Sequence, residues 1–372
     1  MNVPLLDLQR QYQDIESTVM SSIQDVFNSK IFINGPKVTQ LETDIAAYCG
    51  TKHAIGVSSG TDALIISLMA LDIQPGDEII TTPFTFFATA GSISRLGAVP
   101  VFVDIDPLTY NIDPNLIEAK ITSKTKVIMP VHLFGQLADM NQIMAIAKKH
   151  NLHVIEDAAQ AIGAKTTYNG KPLQAAGSIG DLGCFSFFPS KNLGCCGDGG
   201  VVTTNSDDLY EKCQVLRAHG SKPKYYHHII GGNFRLDAIQ AAVVSAKLPF
   251  LNDQHEGRIK NATYYNQHLH QDIKTPVVSD GSYMIYNQYT IQHEKRDQLM
   301  DVLQEYTIGH AIYYPVPLHL QGCFSHLGYQ EGNLPVSEKA AKEVVSIPVF
   351  PELTQSELDY TVAVINQFIE SN

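Results

Sequence analysis

The chain has 372 residues, enough for two domains, and its 44% hydrophobic and 17% charged residues are typical of globular rather than disordered proteins. The formal net charge of −12 is opposite to that of most nucleic-acid-binding proteins, so we expect no nucleic-acid partner. The amino terminus does not resemble a signal peptide and no apolar run could span a bilayer, so we expect a cytoplasmic protein without membrane contact.

Short apolar segments alternate with helical patterns through the first half of the chain. The predicted strands are residues 53–59, 78–84, 99–106, 126–134, 153–157, 182–188 and 199–205. Several are apolar almost continuously, which is typical of strands buried on both faces of a parallel sheet. Helical patterns at 62–71 and 138–150 lie between them, so the sequence predicts a three-layer α/β/α domain with a mostly parallel sheet. Asn169-Gly170 predicts a small inserted hairpin.

The pattern changes after residue 250. A polar helix at 252–269 is followed by a strand at 283–292, a helix at 295–306, a strand at 311–314 and two closing helices. We therefore expect a large domain over residues 1–250 and a smaller α+β domain over 251–372, with about the first 25 residues packing on the small domain.

Two polar groups follow predicted strands in the large domain, where ligands bind in open α/β sheets. Gly60-Thr61 opens a helix, and the free N–H groups of a helix N-terminus suit a phosphate, although a plain Ser/Thr helix cap would leave the same pattern. Asp157 ends a buried strand and must face a cation or a proton donor, or else cap the next helix. Glu156 points to the other face of that strand and is the weaker candidate.

Lys191 follows the aromatic strand 185–188 and a proline. Lysines prefer water, and burial lowers the pKa of a lysine and makes its amine a nucleophile, although a surface lysine is the simpler alternative. Phe86 lies in an aromatic segment that could stack on a flat ring or belong to the core. A phosphate cradle, an aromatic plate, a carboxylate and a nucleophilic lysine, in that chain order, together predict a pyridoxal phosphate site.

Further motifs extend this pattern over nearly the whole chain. They are SGTDAL at 59–64, VDID at 103–106, VHLFGQ at 131–136, IEDAAQ at 155–160, FSFFPSKNLG at 185–194, GNFR at 232–235, QAA at 240–242 and YPVPLHLQ at 314–321. In these motifs the chain resembles the DegT/DnrJ/StrS family of sugar aminotransferases, which have the fold-type I aminotransferase architecture.

The resemblance implies a role for each matching residue. Lys191 and Asp157 are the catalytic residues: Lys191 carries the cofactor as a Schiff base and shuttles a proton, and Asp157 pairs with the ring nitrogen. The remaining cofactor contacts are Gln160 at the ring oxygen, Phe86 on the ring face, and Gly60, Thr61, Ser186 and Asn233 at the phosphate. Substrate binding falls to Arg235, Tyr314 and His319.

The same resemblance implies the reaction. The enzyme would transfer an amino group, with glutamate as the expected donor, to a UDP- or dTDP-linked keto sugar. A 3-keto substrate is favoured over a 4-keto one, and pyridoxamine phosphate is the aminated cofactor. The product would serve surface polysaccharides or similar glycans. The family also implies a homodimer in which Asn233 reaches the neighbour's site. Lysine rather than histidine at position 191 favours transamination over deoxygenation.

The sequence also leaves two other functions open. A regulatory relative that binds the cofactor without turnover is the main alternative, and a different pyridoxal chemistry is another. Residues 194–200 lack the spacing of a dinucleotide-binding loop, and the adjacent His227 and His228 do not suit a metal, so we expect no metal. The six scattered cysteines are expected to be free buried thiols.

Overall fold

Strands and helices alternate through the first half of the chain, as predicted. The computed structural model describes residues 1–371. Its strands are β1 (His53–Val57), β2 (Glu78–Thr81), β3 (Val99–Phe102), β4 (Thr125–Ile128), β5 (His153–Asp157), β6 (Lys165–Tyr168), β7 (Lys171–Ala175), β8 (Leu182–Ser186), β9 (Gly200–Thr204), β10 (Ser282–Tyr283), β11 (Tyr289–Gln292) and β12 (Val344–Ile347). Its helices are α1 (Leu8–Gln13), α2 (Glu16–Ser29), α3 (Pro36–Cys49), α4 (Gly60–Ala70), α5 (Ala88–Arg95), α6 (Met140–His150), α7 (Asp207–Leu216), α8 (Ala238–Lys247), α9 (Leu251–His268), α10 (Arg296–Glu305), α11 (Pro335–Glu343) and α12 (Gln355–Glu370).

A seven-stranded sheet in the order β1-β9-β8-β5-β4-β2-β3 forms the centre of the fold. The pairs from β8 to β3 are parallel, whereas β9 runs antiparallel to both β8 and β1. Residues 187–199 join β8 to β9 without a helix, and a connection of this kind returns the chain antiparallel to the strand it leaves. The predicted α/β class with a mostly parallel sheet is confirmed.

Helices cover both faces of this sheet. On one face α4 and α7 pack against β1, β8 and β9, and on the other α3 and α6 contact β1, β4 and β5. The helix α4 is buried on nearly all sides from Ala63 to Leu68, because it lies between the sheet, α5 and α7. This packing fixes the start of α4 beside the ends of the central strands.

The predicted hairpin is confirmed. Strands β6 and β7 pair antiparallel, and Asn169 and Gly170 between them both have positive φ angles, of 51° and 73°. Two successive positive φ values are those of the tight turn that Asn-Gly favours. Strand β10 adds to β6 and completes a three-stranded sheet.

The C-terminal region differs in part from the prediction. The expected strand at 283–292 is divided into β10 and β11, because the N–H groups of Ile285 and Asn287 donate to Gly135 and Phe134 instead. The predicted strand at 311–314 is wrong: only Ala311 pairs, in a single bridge to Ser346. Strand β12, which pairs with β11 and carries Ser346, was not predicted.

The amino-terminal residues lie against the last third of the chain. Val3 forms a parallel bridge with Ile308, and the guanidinium of Arg10 forms two hydrogen bonds with the carboxylate of Glu357, at 2.8 and 2.7 Å. Helix α2 instead packs on α8. The domain boundary at residue 250 stays a prediction. Within residues 1–371, no helix combines the length and apolarity that a membrane crossing requires.

Candidate active site

Asp157 is the last residue of β5, in the middle of the sheet, and is 5% exposed. Its Oδ2 accepts a hydrogen bond from the Thr89 hydroxyl at 2.8 Å, and its Oδ1 accepts one from the Ala159 N–H at 3.3 Å. Burial raises the pKa of Asp157, and the Thr89 hydrogen bond and the charge of Lys191 oppose that shift. A further hydrogen-bond donor or a cation would therefore stabilise the ionised form of this carboxylate.

Lys191 lies in the turn after β8, and its side chain is half-buried. The backbone N–H of Lys191 donates to the carbonyl oxygen of Phe188 at 2.8 Å, which fixes the turn. Burial lowers the pKa of the Lys191 amine to about 8, and the negative charge of Asp157 acts against this shift. A substantial fraction of the amine is therefore neutral near physiological pH and able to attack a carbonyl group.

The start of α4 offers donors for an anion. The Ser59 side chain caps the Asp62 N–H, while the N–H groups of Gly60 and Thr61 have no acceptor among residues 1–371. A Cβ atom at position 60 would lie 2.7 Å from the Cβ of Ser186, so only glycine allows Ser186 to lie this close to the helix start. Because the Ser186 hydroxyl oxygen accepts from the Phe188 N–H, at 3.2 Å, its proton can point elsewhere.

The hydroxyl groups of the two serines before this helix already have hydrogen-bond acceptors. The hydroxyls of Ser58 and Ser59 donate to the carboxylate of Asp62, at 2.6 and 2.9 Å. The available donors at this helix start are thus backbone N–H groups and the Ser186 hydroxyl rather than the Ser58 and Ser59 hydroxyls.

Gln160, Tyr314 and Phe86 lie together. The Gln160 amide oxygen accepts from the Phe134 N–H at 2.7 Å, and its NH2 group donates to the Tyr314 hydroxyl at 3.1 Å, so both ends of the amide are fixed. The ring of Phe86 is 58% exposed and its centroid lies 6.3 Å from that of Tyr314. Burial raises the pKa of Tyr314, which keeps its hydroxyl protonated.

Asn233 and Arg235 lie on an extended segment that pairs with the end of β1. Arg235 forms a bridge with Val57, and its guanidinium donates to the Asn233 side-chain oxygen at 3.0 and 2.7 Å. The Asn233 side chain is exposed. The described contacts do not bring either side chain to Lys191 or Asp157 of the same chain.

His319 is 1% exposed, in a short turn whose neighbour Leu318 donates its N–H to the carbonyl oxygen of Pro83 at 2.8 Å. The His319 Nε2 lies 3.0 Å from the carboxylate of Glu338, and its Nδ1 has no partner within residues 1–371. The turn thus contacts the segment that carries Phe86, and the proposed role of His319 in substrate binding stays a prediction.

The structure adds Thr89, which the sequence analysis did not single out, and a contact of Glu156 that it did not predict. Thr89 contacts Asp157, as described above. Glu156, on the opposite face of β5, is fully buried and lies 2.8 Å from the Nε2 of His132. Because the His132 Nδ1 accepts from the Ala138 N–H at 3.2 Å, the ring proton is on Nε2 and is donated to Glu156. Glu156 is therefore a structural acceptor, and the alternation along β5 had already made it the weaker candidate.

The expectation for the cysteines was partly wrong. All six are free, but only Cys49, Cys184, Cys195 and Cys213 are buried, whereas Cys196 and Cys323 are exposed. The His227 ring Nδ1 lies 2.9 Å from the His219 carbonyl oxygen. Within residues 1–371, no three His, Cys, Asp or Glu side chains are grouped in a way that would hold a metal ion.

These donors fit pyridoxal phosphate. The fold supplies backbone N–H groups for a phosphate at the start of α4, a buried carboxylate for a protonated ring nitrogen, and a lysine amine of lowered pKa for the carbonyl carbon. Lys191 and Asp157 are close enough for each charge to alter the pKa of the other.

Comparisons with known proteins show the family of this chain. A sequence model of the DegT/DnrJ/EryC1/StrS aminotransferase family matches residues 13–366. The chain is 55% identical to a "Pleiotropic regulatory protein" of Geobacillus stearothermophilus, covering 99% of each chain. It is 44% identical to the "UDP-N-acetyl-3-dehydro-alpha-D-glucosamine 3-aminotranferase" of Acidithiobacillus ferrooxidans, covering 98% of this chain and 97% of the other. It is 41% identical to the "UDP-2-acetamido-2-deoxy-3-oxo-D-glucuronate aminotransferase" of Pseudomonas aeruginosa, covering 98% and 99%.

Solved structures show the same fold. The chain matches DesV of S. venezuelae, solved in complex with a ketimine intermediate, with a TM-score of 0.95 and 37% identity over 99% of both chains. It matches NtdA of Bacillus subtilis, solved with the bound cofactor PMP, with a TM-score of 0.92 and 32% identity over 99% of this chain and 85% of that one.

Proposed function

Because this chain belongs to the DegT/DnrJ/EryC1/StrS aminotransferase family, we propose that it transfers an amino group from an amino acid to the C3 ketone of a nucleotide-linked sugar. It is a pyridoxal-phosphate-dependent sugar aminotransferase. The observation that carries the proposal is the pair formed by Lys191, an amine with a pKa lowered to about 8, and the buried carboxylate of Asp157.

Each site residue has a proposed task. When bound, pyridoxal phosphate supplies an electrophilic carbon and a ring that withdraws electrons. Asp157 holds a proton on the ring nitrogen, and the N–H groups of Gly60 and Thr61 bind the phosphate with Ser186. Lys191 attaches the cofactor and, once its amine is released, moves a proton at Nζ.

The remaining residues orient the reactants. Gln160 is held by Phe134 and Tyr314, and the second hydrogen of its NH2 group is proposed to be donated to the ring oxygen. Phe86 presents an exposed ring face for stacking. Tyr314 and His319 are proposed to bind the substrate, with Arg235.

The preference for a 3-keto sugar is supported by the relatives. The two that are 44% and 41% identical are named for amination of UDP-linked 3-keto sugars. The proposed substrate is a UDP- or dTDP-linked sugar, and the proposed amino donor is glutamate. The expected cytoplasmic location and role in polysaccharide synthesis remain predictions.

We further propose a homodimer in which Asn233 and Arg235 complete the neighbour's site. Several apolar side chains close to this segment in sequence, or joined to it by the bridge between Ile33 and Asp237, are exposed, which is unusual for a surface that faces only water. They are Ile31, Phe32, Ile33, Tyr225, Tyr226, Ile229 and Ile230, of which Ile230 is 90% exposed.

A regulatory function is the second candidate, because the relative with 55% identity is named a pleiotropic regulatory protein. Lys191 and Asp157 are both present, and a protein that only senses the cofactor has no need of an amine that shuttles protons. Turnover therefore separates the two candidates.

The test is a panel of UDP- and dTDP-linked sugars with the ketone at C3 or C4, incubated with glutamate and the holoenzyme. We expect a mass change from ketone to amine with a 3-keto substrate, and none with the Lys191→Ala variant. Amination of 4-keto sugars alone would overturn the C3 assignment. Absence of any aminated product, with cofactor bound, would favour the regulatory function.

A further inference from the structure

Two buried hydroxyls, those of Thr85 and Thr89, form a chain of hydrogen bonds that ends on Asp157. The hydroxyl oxygens of Thr85 and Thr89 are 3.0 Å apart, and the Thr89 hydroxyl lies 2.8 Å from Oδ2 of Asp157. Thr85 is 2% exposed and Thr89 is 1% exposed. Within residues 1–371, Thr89 supplies the one side-chain hydrogen bond to this carboxylate.

The direction of these hydrogen bonds follows from proton counting. An ionised carboxylate can only accept, so the single proton of the Thr89 hydroxyl is directed at Oδ2. The Thr89 oxygen can then only accept from Thr85, whose proton must point toward Thr89. The pair thus has one arrangement when Asp157 is charged.

The two carboxylate oxygens are left unequal. Oδ2 is occupied by a short hydrogen bond from a hydroxyl, whereas the single contact of Oδ1 is the longer one, 3.3 Å, from the Ala159 N–H. Oδ1 therefore has the greater capacity for another donor. A hydrogen bond to the charged form of a group stabilises that form, and more so where water is excluded.

We propose that Thr89 is a positioning residue that keeps the Asp157 carboxylate ionised and oriented for the ring nitrogen of the cofactor, and that Thr85 keeps the Thr89 hydroxyl in its donating orientation. This inference rests on the proposed function, in which Asp157 pairs with that nitrogen. Thr89 acts through Asp157 and does not itself touch the cofactor.

Thr85 and Thr89 lie in the same short segment as Phe86. Thr85 precedes Phe86 directly, and Thr89 lies in the first turn of α5. One short segment therefore presents the aromatic ring proposed to stack on the cofactor and also the hydroxyls that orient its acidic partner. A substitution that only shifts this segment would disturb stacking as well, so the test must separate the two effects.

The test measures binding to the cofactor-free protein by calorimetry. The two probes are pyridoxamine phosphate and an analogue in which a CH group replaces the ring nitrogen. Both can stack on Phe86 and neither forms a covalent bond with Lys191, but only the first can pair with Asp157. The ratio of their dissociation constants therefore reports the pairing alone.

Thr89→Val removes the hydroxyl and keeps the shape of the side chain. We expect it to weaken the binding of pyridoxamine phosphate about tenfold, the usual worth of a hydrogen bond to a charged group, and to leave the binding of the analogue unchanged. Thr89→Ser should bind both probes as the wild type does, and Thr85→Val should show a smaller loss of the same kind. Circular dichroism at the binding temperature establishes that each variant is folded.

The outcomes separate this inference from the proposed function. Equal weakening of both probes by Thr89→Val, or no weakening of either, would overturn the positioning role. Asp157→Asn serves as the reference, and it should lose the preference for the probe with a ring nitrogen. If it keeps the wild-type preference, the pairing of Asp157 in the proposed function is wrong. If Asp157→Asn loses the preference and Thr89→Val keeps it, only the inference about Thr89 fails.

Discussion

The amine of Lys191 should show its lowered pKa before any sugar is bound. Attachment of the cofactor requires the neutral amine, so the attachment rate of the cofactor-free protein should rise with pH and level off above about 8. An unperturbed lysine would continue to gain reactivity up to a pKa of 10.5. Stopped-flow absorbance between pH 6 and 10 measures this profile.

Lys247 offers a matched control for that experiment. It is also buried, its pKa is also lowered to about 8 by burial, and its amine donates to the Gln11 side chain at 3.0 Å. We expect Lys247→Met to keep the yellow absorbance band that borohydride bleaches, and Lys191→Ala to lose it. Borohydride labelling that maps to Lys247, or a fully active Lys191→Ala variant, would show that the wrong lysine was assigned.

Asp157→Asn should retain the fold and lose most of the catalysis. The neutral amide cannot hold a proton on the ring nitrogen, and a loss of roughly 3 to 4 kcal/mol of transition-state stabilisation lowers kcat on the order of 10²- to 10³-fold. Glu156→Gln, one residue away on the opposite face, is the control and should affect stability more than kcat, since Glu156 accepts from His132 and three backbone N–H groups. Near-normal turnover by Asp157→Asn would make Asp157 a structural cap.

Sequence patterns pointed to Asp157 and Lys191 because a charged residue at the end of a buried strand, or in the turn that follows one, is uncommon and needs an explanation. They could not point to Thr89, since a threonine in a first helical turn is common and its partner lies 68 positions along the chain. The pairing of His132 with Glu156 was hidden for the same reason. Contacts between residues distant in sequence become visible only when the strands that carry them have been placed side by side.

At the scale of elements, the start of α11 depends on Asp104, a buried residue two positions beyond the end of β3. Both oxygens of the Asp104 carboxylate accept from the first turn of α11, from Val336 N–H at 2.9 Å and from Ser337 N–H at 2.9 Å. Because Asp104 is buried, Asp104→Ala would leave these N–H groups without an acceptor and should lower the free energy of unfolding by about 2 kcal/mol. Urea denaturation measures the change.

Asp113 provides a control of the same residue type. It caps the short 3-10 turn Pro114–Leu116 by accepting from Asn115, near the surface. Asp113→Ala should cost no more than about 1 kcal/mol, as an exposed cap does. If the two variants are equally stable, the contact between Asp104 and α11 does not contribute as proposed.

The elements themselves were largely predictable where the apolar pattern was long. The seven sheet strands were found, but most end earlier than predicted, as with β4, which ends at Ile128 although the predicted strand continues to Phe134. The residues beyond the strand leave the sheet plane and build the site, where Phe134 donates to Gln160. Residues 311–314 show the converse, since their sequence is β-rich but only Ala311 pairs, in a single bridge to Ser346 of β12.

At the scale of the whole molecule, the proposed shared sites make a mixing experiment decisive. Lys191→Ala and Arg235→Ala should each be inactive as homodimers. In a hybrid, one site combines Lys191 from one subunit with Arg235 from the other, so it regains both. Random exchange of equal amounts should recover about a quarter of the wild-type activity.

Mass spectrometry should first establish that mixed dimers have formed. Inactive mixed dimers, or a wild-type protein that is active as a monomer, would contradict the shared-site proposal. Arg235→Lys is the control for charge, and it should retain part of the activity since it keeps the cation without the planar fork of arginine.

The contact between the two ends of the chain sets an order of events during synthesis. Arg10 leaves the ribosome early, yet its partner Glu357 is 347 positions away, and the Val3 bridge needs Ile308. At about 5 to 20 residues per second, the first ten residues wait roughly 20 to 70 seconds for their docking surface. During that interval the sheet and α4 can fold, while the amino-terminal segment stays open to proteases and chaperones until the last helix has been translated.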